Sequence, residues 1–131
     1  MADTDLDTLL ARMEPWLDPD RYLFVRAAPG TATGLPALMR FREDEADTLI
    51  VTERVAAREG LAGDFLCRRI VAKAGSPPDS VGFIARLSGA LADNGIAVNP
   101  VSGFSCDHLF VLEEKAQAAM DVLGELSRSP A

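Results

Sequence analysis

The chain has 131 residues, 48% of them hydrophobic and 25% charged, the size of one domain or of two small units sharing a sheet and the composition of a soluble globular protein. No apolar run approaches the roughly 18 residues of a membrane span, and the acidic start MADTDLDTLL resembles neither a secretory signal nor a transit peptide, so a cytoplasmic location and no membrane partner are expected. The net charge is −7, with −5 of it in residues 1–20, and only Arg68, Arg69 and Lys73 approach a basic patch, which argues against a nucleic-acid partner.

In chain order, Leu6, Leu9, Leu10 and Met13 recur at helical spacing. Asp5 or Thr4 can cap this N-terminal helix, and Pro15 ends it. LDPD (residues 17–20) reads as a turn, and Tyr22, Leu23, Phe24 and Val25 as a short strand. APGTATGLP (28–36) is a loop by composition, and it lacks the Lys-Ser/Thr pair that a phosphate loop needs after its glycine. Residues 37–41 and 48–52 read as strands around an acidic turn, and 53–59 as a short helix closed by Gly60.

The second half is more regular. Residues 66–74 form a strand with Ile70, Ala72 and Ala74 on one face. GSPPD is a turn, and Asp79 or Ser80 caps a helix with Val81, Ile84, Leu87, Ser88 and Leu91 on its apolar face. Asn94-Gly95 ends that helix in a left-handed turn, and 96–101 and 108–112 are strands joined by a tight connection. Glu113 and Glu114 open a last helix with Ala116, Ala119, Met120, Leu123 and Leu126 buried, and the end from Ser127 is expected to fray. Residues 66–127 therefore read strand, helix, strand, strand, helix, the order of a split βαβ or ferredoxin-like unit.

The stretch SPPDSVGFIARLSGALADNGIAVNPVSGF (76–104) resembles the opening of ACT domains, with Asp79, Val81, Gly82, Leu91, Gly95 and Ile96 in the matching positions. The whole chain resembles small bacterial proteins with two ACT-like units, an N-terminal helix and a DHLFV strand, here Asp107 to Val111. It departs from them at Gly75, Ser105 and Cys106, where histidine or tyrosine is frequent. The resemblance implies an α+β fold of two ferredoxin-like (βαββαβ) ACT-type units side by side, each an antiparallel sheet with helices on one face. The expected division is an N-terminal helix at 1–20, a first unit at 21–65, which can be incomplete, and a second unit at 66–131. It also implies a free-standing, non-catalytic regulatory protein that binds a small molecule of the amino-acid class, without a cofactor.

The candidate ligand site is the turn into the helix at 76–83 together with the strand at 96–101. Ser76, Asp79, Ser80, Val81, Gly82 and Phe83 surround the free amides of a helix start, which suit a carboxylate. Gly82 permits close backbone approach, to a ligand or to a packed strand. Asn99 and Asp79 are acceptors for an ammonium, and Val101 and His108 complete the candidate set.

GFSCDHLF (103–110) concentrates Cys106, Asp107 and the single histidine, His108. A thiolate–imidazole enzyme would also need an oxyanion hole and a cleft. Two ligands are too few for structural zinc, and Cys67 and Cys106 have no CxxC spacing, so a hairpin turn is the favoured reading and no metal is expected. His108 as a ligand or subunit contact stands second. Tyr22 to Val25 and Leu109 to Leu112 do not alternate in polarity, so something covers both faces of these strands: the N-terminal helix, or a second copy in a homodimer. An interaction module using the open sheet is the alternative to a ligand-binding one.

Overall fold

The computed structural model describes residues 5–75 and 79–129. They divide into two compact units: a first unit at Pro19–Cys67, and a second made of the residues up to Asp18 and those from Arg68 onward. Two long strands, β1 (Glu14–Ala27) and β4 (Gly63–Lys73), contribute one end to each unit.

In the first unit β1 leads through a loop at 28–38 into the hairpin β2 (Met39–Arg42) and β3 (Asp47–Thr52). The short helix α2 (Glu53–Glu59) then returns the chain to β4. The Thr52 side chain accepts from Val55 N at 3.1 Å and starts α2, while Gly60 at φ 66° stops it. The strand order is β2-β3-β1-β4. β3 pairs antiparallel with β1, from Tyr22 opposite Thr52 to Ala27 opposite Asp47, and with β2. The buried core is Val25, Leu49, Val51, Val55 and Ala56. A complete ferredoxin-like unit carries a helix between its first two strands; here the loop takes that place, and Ala32, Leu35 and Ala37 pack on the core instead.

In the second unit β4 leads into helix α3 (Phe83–Asp93), hairpin strands β5 (Val98–Ser102) and β6 (Asp107–Leu112), a 3-10 turn at Glu113–Lys115, and helix α4 (Ala116–Arg128). The closing strand is supplied by the start of β1, giving the order β5-β6-β4-β1. The arrangement repeats that of the first unit: the hairpin flanks the opening strand, and the opening strand flanks the closing one. Ile70, Ala72, Leu109 and Val111 from the sheet meet Phe83, Leu87 and Leu91 of α3 and Ala119 and Leu123 of α4 in one core, so both helices cover one face. The fold is thus α+β, with two ferredoxin-like units of antiparallel sheet.

Several local expectations change. The N-terminal helix α1 (Leu6–Arg12) forms, with Asp5 accepting from Asp7 N, but it buries Leu9 and Leu10 in the core shared with α3 and α4. It therefore does not cover the far face of the sheet. LDPD is not a turn: β1 runs on through Pro19, and Leu17 and Asp18 lie where β1 closes the second unit's sheet. An edge position tolerates a proline's missing N–H, and Arg68 holds the Asp18 carbonyl through two donors at 3.1 and 3.0 Å. Val81 is not on the buried face of α3, since the helix starts two residues later and leaves Val81 88% exposed. Strand β5 starts at Val98 rather than Ile96, and Glu113 and Glu114 lie in the 3-10 turn before α4. Helix α4 continues to Arg128, past the expected fraying point. Ser76, with the two prolines after it, and the last two residues lie outside the described residues.

Candidate functional site

The turn before α3 is built on a glycine. Gly82 is the N-cap at φ 95°, a left-handed conformation that side chains avoid, and no side chain caps the helix. Asp79 and Val81 are exposed and Ser80 is half-buried. The Phe83 side chain belongs to the core at 2% exposure, so Phe83 can present only its backbone amide. An uncapped first turn with its partial positive charge is a carboxylate-binding arrangement. Of the candidate residues, Asp79, Ser80, Val81, Gly82 and Phe83 are thus consecutive around one helix start.

The other candidates occupy the sheet. Val98 packs on the helix-side core, so along β5 the alternate residues Asn99 and Val101 face away from the helices. Asn99 pairs with Phe110 and Val101 with His108 across the antiparallel β5–β6 ladder. Leu109 and Val111 point to the helices, so His108 and Phe110 share the far face with Asn99 and Val101. Strand alternation thus splits the candidate residues between the helix start and the opposite face of the sheet.

That far face holds a polar cluster that sequence reading missed. The Arg69 guanidinium donates to Asp18 Oδ2 through Nε at 3.0 Å and Nη2 at 2.8 Å, and its Nη1 lies 3.3 Å from His108 Nδ1. Asp18 is 4% exposed, so this is a buried ion pair. Beside it the Trp16 ring lies 6.0 Å from the Arg69 guanidinium carbon and 5.1 Å from Lys73 Nζ, both cations over an aromatic face. Both strands carry several charges, so nothing local singled out Asp18 and Arg69, and a separation of 51 residues hid the pairing.

Burial, chiefly, and the Arg69 charge push the His108 imidazole below its ordinary pKa, against a smaller opposing pull from Asp107. A neutral His108 accepts at Nδ1 from Arg69 and keeps its proton on Nε2. Gly103 makes room for that ring, since a Cβ there would stand 3.2 Å from Nε2. Cys106 precedes β6 and closes the hairpin through its carbonyl, which accepts from Gly103 N at 2.8 Å. The partner of His108 is therefore a guanidinium, which opposes the imidazolium that a thiolate pair requires. Cys67 is fully buried, its thiol pushed up to about 12 by desolvation and directed at the Tyr22 carbonyl, 3.5 Å away. Among the described residues no group of three metal-ligating side chains comes together, and no helix is long and apolar enough to cross a membrane.

Residues 2–68 match one ACT-domain family model and residues 67–125 match a second. No curated protein matches the chain. Among solved structures, a Vibrio cholerae protein of unknown function, titled a possible transport protein, is 32% identical, with a TM-score of 0.85 over 97% of this chain and 99% of that one. An Agrobacterium tumefaciens protein is 20% identical, with a TM-score of 0.72 over 88% of this chain and 90% of that one. The ligand-free regulatory subunit of aspartate kinase from Thermus thermophilus is 12% identical, with a TM-score of 0.62 over 87% of this chain and 97% of that one, a likeness of fold alone.

Proposed function

The chain belongs to the ACT-domain family, and from that premise we propose that it is a non-catalytic regulatory protein that binds a small molecule of the amino-acid class. The observation that carries this reading is the uncapped start of α3 at Gly82, with Asp79 and Val81 exposed before it. The ligand's carboxylate takes the first-turn amides around residues 80–83, and the Asp79 carboxylate, exposed beside them, takes its ammonium. Ser76 remains a candidate for the same ligand, while Asn99, Val101 and His108, on the far face of the sheet, remain candidates for a separate contact. The three ranges 1–20, 21–65 and 66–131 are kept as the N-terminal segment and two ACT units of this reading, with residues 14–20 of the first range in β1 rather than in the helix. A cytoplasmic location without a cofactor suits it.

The test is a thermal-shift screen against the amino acids and a few nucleotides. A ligand bound only by the folded chain raises its melting temperature with concentration. A saturable shift that Gly82→Asp removes supports the reading, since the new carboxylate occupies the same amides. Absence of any shift across the panel refutes it.

We also propose a homodimer formed along β2. That strand ends the first unit's order and exposes Phe41 at 61% beside Leu38 at 43%. The opposite end strand, β5, carries Pro100, which blunts an edge by removing a donor. Phe110 and Tyr22 are already buried within the single chain, at 1% and 4% exposure, so a second copy is not needed to cover them. Sedimentation that shows a dimer converted to monomer by Phe41→Lys supports this assignment, and a monomeric wild-type chain ends it.

A further inference from the structure

The first unit contains a cavity that no part of the proposed ligand reading uses. Its volume is about 540 Å³, within the range of small-molecule sites. Val25 and Ala27 of β1, Ala32 and Leu35 of the loop, and Leu61 beyond α2 form its apolar lining. The cavity exists because the loop at 28–38 stands where a ferredoxin-like unit would place a helix. The consequence shows in the core: five buried residues cluster here, against fifteen in the second unit, among the described residues.

Two carboxylates mark the polar requirement. Glu59, in the last turn of α2, lines the cavity directly, and its Oε2 accepts from Arg58 Nε at 3.2 Å in an exposed pair that a ligand cation would compete with. Asp47 is the strand partner of the lining residue Ala27 and shares the helix-side face with Leu49 and Val51. Asp47 is 3% exposed, and its Oδ2 accepts from Gly30 N, 3.2 Å away in the same loop. Its Oδ1 is buried without a hydrogen-bond partner among the described residues. An unpartnered buried carboxylate oxygen is costly and is relieved by a donor, best a charged one. The cation of the lining, Arg26, stands apart from this need: its Nη2 lies 3.9 Å from Glu45 of the β2–β3 hairpin.

We infer that the first unit binds a small aliphatic ammonium compound in this cavity, its cationic group toward Asp47 and Glu59 and its hydrocarbon body between the loop and Leu61. Binding would tie the loop at 28–38 to α2. The proposal concerns the first unit alone and does not rest on the site before α3.

The experiment is an NMR titration of the full chain with isoamylamine, compared with isovalerate, its carboxylate counterpart. Saturable amide shifts at Thr31, Ala32, Gly34 and Leu61 with the amine, and none there with the acid, support the site. Gly34→Leu should weaken amine binding at least tenfold by filling the cavity. A Cβ on Gly34 meets nothing within 4 Å, so this variant is compatible with the fold. Asp47→Asn should also weaken it severalfold. No saturable shift, equal binding of isovalerate, shifts confined to residues outside the first unit, or undiminished binding by Gly34→Leu would each overturn the inference. An amino acid that shifts only residues 79–83 would uphold the reading for the second unit while this one fails.

Discussion

The two units repeat each other residue by residue where their chemistry differs most. ADTLIVTE (46–53) in the first unit corresponds to CDHLFVLE (106–113) in the second, and β3 and β6 have the same burial pattern. Each ends in a glutamate facing an arginine of the opening strand: Glu53 with Arg21 at 2.6 Å, and Glu113 with Arg68 at 3.6 Å. Next to these arginines the units diverge. The first unit sets the Cys67 thiol against the Tyr22 backbone carbonyl, while the second sets Asp18 against the Arg69 side chain. The same two strands thus carry a thiol–carbonyl contact in one unit and a buried ion pair in the other. The ion pair is the more fragile choice, because removing one charge of a buried pair is costly.

The largest effects should come from the paired core leucines. Leu109→Ala and Leu49→Ala each remove a fully buried side chain and should cost about 2–5 kcal/mol. Leu109 should stand higher, because three helices pack its core, whereas the short α2 and a loop cover that of Leu49, and the loop can settle into the space. Chemical denaturation of both variants measures the difference, and an equal or reversed order would break the comparison. Asp18→Ala should cost about 3–5 kcal/mol by removing one charge of a buried pair. The double exchange Asp18→Ala with Arg69→Leu, which removes both charges, should recover much of that loss. Failure to recover would mean that the remaining Arg69 charge is not the source of the loss.

Smaller effects sharpen the same contrast. Thr52→Leu should lose about 1 kcal/mol, since Thr52 caps α2, and Leu112→Thr should gain a few tenths, since Leu112 leaves its turn uncapped. The smallest is a pH effect with no counterpart at Thr48, the first unit's match for His108. Folding lowers the His108 pKa, so the unfolded chain binds more protons as pH falls through the ordinary histidine range near 6.5. Stability is therefore full above that value and declines below it. His108→Gln should make the melting temperature less sensitive to pH between about 7.5 and 5.5.

How much was legible in advance follows the same division. Helices α2 and α3, the Gly60 and Gly95 stops, and the hairpin at 103–106 were readable because periodicity, capping and left-handed glycines act within a few residues. The candidate helix start at Gly82 was found for the same reason, with an error of two residues in where the helix begins. LDPD was misread because its local turn chemistry is overridden by partners 50 residues away. The Arg69–Asp18–His108 cluster and the cavity under the loop were invisible, since each joins side chains from separate strands.

The sequence by itself determined the elements, their order and the α+β class, because those depend on local patterns of apolar and polar residues. It also carried the ACT resemblance. Only the tertiary structure decided that β1 and β4 each serve two units, that the N-terminal helix joins the face of α3 and α4, and that Asn99 and His108 face away from Gly82. Strand pairing and the choice of face are long-range decisions. They are made when the core closes and buried charges find partners, and no short window of sequence contains both sides of such a contact.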